Sequence, residues 1–234
     1  MRNALAAESI TIPVPAPDSS RHGTEGAASG QIGADLRVPE NAAGLVMFAH
    51  GSGSSRFSSR NRAVAEFLEE RGFATLLLDL LTPQEESVDI YTRQYRFDID
   101  LLGRRVAFAT EWALQRDDLR RLPLGYFGAS TGAAAALIGA AEHPGAARAV
   151  VSRGGRPDLA EGALALVEAP TLLIVGGDDE PVIEMNRDAM GQMTAPVKLE
   201  IVPGATHLFE EPGTLERVME LAADWFDKCL RSNR

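Results

Sequence analysis

Ser130 lies in the segment GYFGASTGAAAAL, residues 125–137, where nearly every neighbouring side chain is small. Residues Gly128 to Gly132 have the pattern G-x-S-x-G and stand between a short apolar run and an alanine-rich run of helical length. Glycine two residues to either side of a serine permits a turn so tight that a Cβ atom would clash there, and the serine Oγ then projects from the turn. The spacing therefore indicates an exposed nucleophile at the start of a helix, where partial positive charge favours a negative oxygen.

A serine hydroxyl is a weak nucleophile unless a base takes its proton and a carboxylate orients that base. The sequence has four histidines. His22 lies in a polar, turn-rich segment, and His143 ends a predicted helix, where its ring meets the helix dipole favourably. His50 precedes the serine in the chain and begins the segment HGSG, so we expect it to hold a loop in place. His207, on the polar loop between the last predicted strand and the last predicted helix, is the expected base.

The orienting carboxylate is expected between the serine and the histidine in chain order. The segment LLIVGGDDEPV supplies Asp178 and Asp179 directly after an apolar run that predicts a buried strand. Neighbouring side chains in an extended turn diverge, so only one of the two can point into the site. Both could instead cap the helix that begins near Pro181. The residues alone leave the choice open.

Apolar runs of strand length alternate with helical patterns along most of the chain. GLVMFAH and FATLLLDL are almost continuously apolar, as parallel strands buried on both faces are, and helical periodicity follows in residues 60–72 and 215–230. ESITIPV and QIGADLRVP alternate apolar and polar residues and predict an antiparallel hairpin at the front. We therefore expect a single α/β domain over residues 1–234. It has a mostly parallel sheet of about eight strands, helices on both faces, no large cap domain, and poor order in residues 1–8.

Ligands of open α/β sheets bind at the carboxyl ends of the strands. A negative tetrahedral oxygen bound there needs two N–H donors, and the backbone N–H of Thr131, directly after the serine, is one candidate, with the loop after LVMFAH expected to supply the other. Arg56 and Arg153 could bind an anionic group, or could pair with carboxylates of an acidic surface. His50 is a further candidate for ligand contact, and so is Tyr95 in the long segment TPQEESVDIYTRQYRFD, which we interpret as a loop.

The composition argues against several classes of protein. With 33 acidic and 23 basic residues among 234, the net charge is −10, which disfavours binding to nucleic acid or to anionic membranes. No apolar run reaches the ~20 residues that span a bilayer. The single cysteine, Cys229, cannot form an internal disulfide, so a cytoplasmic protein is expected. No G-x-x-x-x-G-K-[ST] phosphate loop is present, and we expect neither a metal nor a cofactor.

Four segments together resemble the dienelactone-hydrolase-like branch of the α/β-hydrolases: HGSGSSR, GYFGASTGAA, LLIVGGDDEPV and PGATHLFEEPG. More narrowly, they are similar to small bacterial hydrolase domains that occur alone or fused to phosphoribosyltransferases. The resemblance runs from about residue 31 to the end of the chain. In that family the acid lies in a G-x-x-D-x-x-V pattern, which falls on Gly176, Asp179 and Val182 and implies Asp179 as the acid. The resemblance also implies the N–H of Ser52 as the second oxyanion donor.

Dienelactone hydrolases proper have a cysteine nucleophile at the position of Ser130, so ester hydrolysis is the chemistry that the resemblance implies here. It implies a serine hydrolase that cleaves small carboxylic esters, or thioesters by the same chemistry, through Ser130, His207 and Asp179 and an acyl-enzyme. The alternative is a protein that keeps this fold to bind a ligand or a partner without catalysis. The oligomeric state is not indicated by the sequence.

Overall fold

The computed structural model describes residues 7–15 and 30–231, which form an eight-stranded sheet covered by helices. The strands are β1 (Glu8–Val14), β2 (Gly30–Arg37), β3 (Leu45–Ala49), β4 (Ala74–Leu78), β5 (Leu124–Ala129), β6 (Ala147–Arg153), β7 (Thr171–Gly176) and β8 (Val197–Val202). The helices are α1 (Ser59–Glu70), α2 (Pro83–Thr92), α3 (Ile99–Gln115), α4 (Thr131–Glu142), α5 (Glu180–Met190) and α6 (Thr214–Leu230). His22 lies outside the described residues, as do residues 1–6, and Glu8 is the first residue of β1.

The strand order in the sheet is β1-β2-β4-β3-β5-β6-β7-β8. β1 pairs with β2 in antiparallel fashion, with Ile12 opposite Ile32, and β2 pairs antiparallel with β4. All other neighbouring strands are parallel. The predicted mostly parallel sheet of about eight strands with a hairpin at the front is thus confirmed. Because β3 and β5 to β8 run in the same direction, their carboxyl ends meet at one edge of the sheet.

Alternate residues of the central strands pack on opposite faces of the sheet. On β5, Tyr126 lies in the core formed with α3 and α4, whereas Phe127 lies in the core formed with α1 and α6. Both side chains are fully buried, and burial of a large apolar side chain contributes roughly 1.5–3 kcal/mol. The two layers fix β5 from both sides and hence the turn that follows it.

Helix α2 corrects the prediction of a long loop over residues 82–98. The helix begins with a capping box, in which Thr82 Oγ1 accepts the Glu85 N–H at 3.2 Å and the Glu85 carboxylate accepts the Thr82 N–H at 2.7 Å. Its buried residues are Glu85 and Asp89, so the apolar periodicity that predicts a helix is missing. The residues Thr-Pro-Gln-Glu were the available signal, because they combine a capping box with Pro83 at the first helical position.

The connection from β6 to β7 holds only 3₁₀ turns over Pro157–Leu166, in keeping with the expected absence of a large cap at that place. Among the described residues, no helix is both long and apolar enough to cross a bilayer.

Candidate active site

Ser130 occupies the turn between β5 and α4 in a backbone conformation that side chains rarely adopt. Its φ is 51° and its ψ is −124°, a strain that costs on the order of 1–3 kcal/mol and persists only where the surroundings enforce it. The Ser130 N–H donates to the carbonyl of Arg153 at 3.2 Å, and the Ser130 carbonyl accepts the N–H groups of Ala133 and Arg156. These bonds from β6 and α4 hold the hydroxyl at the carboxyl edge of the sheet.

Glycines on both sides of Ser130 allow backbone segments to approach closely. A Cβ atom at Gly128 would lie 2.4 Å from the Cα atom of Ala133, in the first turn of α4. A Cβ atom at Gly132 would lie 2.3 Å from the carbonyl oxygen of Ala49 and 2.4 Å from that of His50. The small residues therefore bring the start of α4 against the end of β3, where the next loop begins.

His207 lies between Ser130 and Asp179 within hydrogen-bonding distance of both. Its Nδ1 is 2.7 Å from Asp179 Oδ2, and its Nε2 is 3.3 Å from Ser130 Oγ. A carboxylate at Nδ1 favours the tautomer with the proton on that nitrogen, which leaves the lone pair of Nε2 facing the serine hydroxyl. Asp179 makes no side-chain cap bond to α5, and Asp178 is exposed to solvent. The structure thus brings together the serine, the histidine and the second of the two aspartates.

The loop after β3 runs alongside Ser130. A Cβ atom at Gly51 would lie 3.0 Å from Ser130 Cβ and 3.7 Å from Ser130 Oγ. The Ser52 N–H donates to Thr131 Oγ1 at 2.8 Å, while Thr131 is the first residue of α4, so its own N–H has no acceptor within the helix. The two N–H groups expected to form an oxyanion hole therefore lie on facing segments, and the Thr131 hydroxyl occupies one of them.

His50 is buried, and both of its ring nitrogens are occupied. The Leu80 N–H donates to Nε2 at 3.2 Å, so Nδ1 carries the proton and donates to the Gly51 carbonyl at 2.9 Å. Burial lowers the pKa of His50 below 6.5, which keeps the ring neutral. Neither ring nitrogen of His50 is therefore free to hydrogen-bond a ligand, and contact between a ligand and this ring stays a prediction. Instead, its hydrogen bonds tie the loop after β3 to the loop after β4.

Arg56 is held by two carboxylates. Its guanidinium pairs with Asp79 and with Asp35, the latter at 3.3 Å, and lies 4.2 Å from the centre of the Phe57 ring. The expected role of Arg56 with Arg153 in binding an anion is not supported, because its charge is already compensated. The alternative interpretation, an arginine paired with the carboxylates of an acidic protein, describes its environment.

Arg153 points to the opposite side of the sheet from Ser152 and is only 6% exposed. Its Nη2 donates to Asn61 Oδ1 at 3.4 Å, and its guanidinium lies 5.9 Å from the centre of the Phe209 ring. Burial lowers the pKa of Arg153 to about 10, so the side chain stays charged at neutral pH. It does not share a partner with Arg56.

Tyr95 lies in the connection between α2 and α3, half-buried, beside a wide groove that Arg56 also lines. Asp89 and Arg96 nearby are a pair that the sequence did not reveal. The Asp89 carboxylate accepts the N–H groups of Tyr95 and Arg96 at 2.8 and 3.0 Å and the Arg96 Nε–H at 2.5 Å. Burial alone would raise the pKa of Asp89, but the hydrogen bonds from Arg96 and Tyr95 hold it below its ordinary value.

The Arg96 guanidinium reaches over the loop after β3, where a Cβ atom at Gly53 would lie 3.2 Å from its Nη1. The Asp89–Arg96 pair therefore packs against that loop. Within the described parts of the chain, no cluster of His, Cys, Asp and Glu could hold a metal ion.

Comparisons with known proteins find similarity to dienelactone hydrolases and their relatives along most of the chain. The dienelactone hydrolase family model matches residues 32–230. Two Mycobacterium tuberculosis proteins whose names describe a phosphoribosyl transferase are 58% identical over 195 residues, which are 83% of this chain and 43% of each relative. The chain thus spans less than half the length of these curated relatives, in line with the predicted resemblance to domains fused to phosphoribosyltransferases.

Solved structures show the same fold. A dienelactone hydrolase from Anabaena variabilis is 52% identical with a TM-score of 0.87, covering 96% of this chain and 99% of that one. Est1E from Butyrivibrio proteoclasticus is 18% identical with a TM-score of 0.73, covering 94% of this chain and 98% of its own, and shares the fold. The sequence match over residues 32–230 and the shared architecture lead to one conclusion: the chain belongs to the dienelactone hydrolase family of the α/β-hydrolases.

Proposed function

We propose that this chain is a serine hydrolase that cleaves carboxylic esters of small molecules. The observation that carries the proposal is the hydrogen-bonded series from Ser130 through His207 to Asp179, with distances of 3.3 and 2.7 Å. Membership of the dienelactone hydrolase family supports hydrolysis as the class of reaction. The strained turn at Ser130 supports a hydroxyl presented for attack, because such strain clusters at functional sites.

In the first half of the reaction, Ser130 Oγ bonds to the ester carbonyl carbon while His207 Nε2 takes the hydroxyl proton. Asp179 holds the ring in place and stabilises the imidazolium. The carbonyl oxygen becomes negative and accepts hydrogen bonds from the N–H groups of Thr131 and Ser52, each worth about 3–4 kcal/mol to the transition state. The carbon–oxygen bond to the alcohol then breaks, and the departing oxygen takes the proton from Nε2, which leaves Ser130 acylated.

In the second half, water bonds to the acyl carbon as His207 Nε2 takes one of its protons. The tetrahedral intermediate collapses, the carboxylic acid departs, and the proton returns to Ser130 Oγ. The net reaction converts ester and water into acid and alcohol. Thioesters follow the same steps with a thiol as the leaving group.

The N–H of Ser52 is available to a substrate only if its present acceptor moves. The Thr131 hydroxyl accepts this N–H at 2.8 Å, so the substrate carbonyl oxygen takes the place of that hydroxyl during binding. The rearrangement involves one side-chain rotation on α4 and leaves the backbone of both segments in place.

The phosphoribosyl transferase activity that the names of the Mycobacterium tuberculosis relatives describe is not proposed for this chain. The matched region is 43% of those proteins, and the name describes the whole of each. The alternative to catalysis is a binding protein with this fold, and the experiment below separates the two.

The test compares the wild type with Ser130→Ala for release of p-nitrophenol from p-nitrophenyl acetate and butyrate. We expect the substitution to lower kcat by about 10⁶-fold. Ser87→Ala is the matched control, because Ser87 is exposed on α2 and, among the described residues, its hydroxyl bonds only to the Gln84 carbonyl. A fluorophosphonate should label the wild type stoichiometrically at Ser130. A wild type that neither hydrolyses these esters nor takes the label would refute the proposal and favour the binding protein.

A further inference from the structure

Strand β8 lies at the end of the sheet and, among the described residues, pairs with another strand on one side only. That neighbour is β7, which runs parallel to it. The Thr171 N–H donates to the Pro196 carbonyl, and the Gly177 N–H donates to the Val202 carbonyl. Successive residues of a strand direct their N–H and C=O groups to alternate sides. The even-numbered residues of β8 therefore face β7, and the odd-numbered residues face away from the sheet.

The free edge of β8 consists of the N–H and C=O groups of Val197, Leu199 and Ile201. In the part of the chain that the structure describes, no turn or loop backbone bonds to these groups. The Ile201 side chain is also exposed, which is uncommon for a large apolar residue of a strand. An open row of edge groups is a template for pairing with another strand, so the question is which strand fits it.

The sequence of β8, VKLEIV, is complementary to itself when two copies run antiparallel about Leu199. In that register, Leu199 lies opposite the same residue of the second copy, and Val197 lies opposite Ile201. Lys198 then lies opposite Glu200. Side chains directly opposite each other in an antiparallel pair stand on the same face of the sheet and contact each other. Each apolar side chain therefore meets an apolar one, and each charge meets its opposite.

The backbone groups of β8 select the same register. Val197, Leu199 and Ile201 direct their N–H and C=O groups outward, and each lies opposite a residue that does the same. Each can therefore exchange both of its hydrogen bonds with the residue opposite. A shift by one residue would set outward groups against inward ones. A shift by two would place Lys198 opposite Lys198 or Glu200 opposite Glu200, and like charges directly opposite each other are destabilising.

The charged face of β8 favours this pairing instead of blocking it. A lysine on an edge strand usually prevents association, because it brings like charges together. Here Lys198 Nζ lies 2.5 Å from Glu200 Oε1 on the same face of the strand, and the Lys198 side chain is 60% exposed. In the antiparallel pair, lysines and glutamates of the two copies alternate, so every charge has an opposite charge both in its own strand and across the interface.

We propose that β8 is a self-association surface, at which two copies of this chain pair antiparallel about Leu199 and join their sheets into one. Charge complementarity and the direction of the edge groups both select a second copy as the occupant. Because each copy contributes one short strand edge, the interface is small, and we expect a dimer that dissociates on dilution. The proposal does not depend on the esterase function.

Sedimentation velocity over about 5–500 µM protein tests for this weak association. Lys198→Glu places glutamate opposite Glu200, and Glu200→Lys places lysine opposite Lys198. Each single variant should therefore raise the Kd of the dimer by about tenfold or more. An equal mixture of the two variants should form a heterodimer, because every glutamate of one chain then lies opposite a lysine of the other.

The mixture separates association from a role of these charges within the chain. Each single variant lacks the Lys198–Glu200 pair in its own strand, so recovery in the mixture can come only from contacts between chains. The double variant Lys198→Glu with Glu200→Lys keeps opposite charges at every position, and its Kd should match that of the wild type. Arg121→Glu is the matched control, since it makes the same change of charge at an exposed position between α3 and β5.

Three results would each overturn the proposal. The first is a wild type that stays monomeric throughout the concentration range, and the second is a wild-type Kd in both single variants, which would place the interface elsewhere. The third is a mixture that associates no more than its separate components, in variants whose circular dichroism and Tm show that they are folded. Hydrolysis of p-nitrophenyl butyrate, measured on the same samples, reports on the esterase function separately.

Discussion

A methyl group at position 132 has no room in this fold, and Gly132→Ala should therefore weaken both stability and catalysis. The added Cβ atom would lie 2.3 Å from the Ala49 carbonyl oxygen and 2.4 Å from that of His50. Both atoms belong to backbone at the end of β3, which is fixed between β4 and β5. Overpacking of this severity falls at the upper end of the usual 1–3 kcal/mol, about 3 kcal/mol. Alanine in a helix recovers at most about 1 kcal/mol relative to glycine.

The net loss in the free energy of unfolding is then about 2 kcal/mol, which for a chain of this length lowers Tm by about 4–8 °C. Urea unfolding and thermal melting measure it, with Gly145→Ala as the control, because a Cβ atom at Gly145 meets nothing within 4 Å. The displaced carbonyls precede the loop that carries Ser52, so kcat for p-nitrophenyl butyrate should fall as well. A Gly132→Ala protein with wild-type Tm and kcat would refute this account of the small residues around Ser130.

Two further predictions concern the residues around the serine. Asp179→Asn should lower kcat by about 10⁴-fold, because the amide favours the wrong histidine tautomer. Asp178→Asn, at an exposed position, should change kcat little. Similar losses of kcat in both variants would contradict the assignment of the acid. His50 should make stability depend on pH. Burial holds the pKa of His50 below 6.5 in the folded state. As the pH falls below 6.5, the unfolded chain therefore takes up a proton that the folded chain does not. The free energy of unfolding then decreases until the pH reaches the folded-state pKa. His50→Gln should flatten this dependence in urea titrations between about pH 5 and 8, and parallel profiles would exclude the ring as its source.

The fold could be predicted from the sequence where burial leaves a readable pattern. Strands such as β3 and β4 are buried along their whole length, so their residues form continuous apolar runs. Helix α2 has no such pattern, because its buried face consists of Glu85, which pairs with Arg105 at 2.5 Å, and Asp89, which binds Arg96. A helix that buries charged groups against partners in other elements does not display an apolar stripe, and only its capping residues mark where it begins.

The candidate site likewise contains residues that the sequence could identify and residues that it could not. Ser130 and His207 could be selected by residue type and by their places after β5 and β8, since these features are properties of the chain order. The choice of Asp179 over Asp178 came from the family pattern. The environments of His50 and Arg56 could not be predicted, because their partners are distant in the sequence: His50 binds the Leu80 N–H, and Arg56 binds carboxylates that follow or lie on other strands. Whether an arginine is free to bind an anion depends on pairings that only the folded chain creates.

The order of the strands places Arg153 beside the reacting groups. Ser130 follows β5, Asp179 follows β7 and His207 follows β8, so the three must reach across β6, which lies between β5 and β7. The last residue of β6 is Arg153, and its backbone supports the serine turn while its side chain passes under the histidine loop towards α1. The end of β6 therefore supports the serine turn through its backbone and contacts the histidine loop through its side chain.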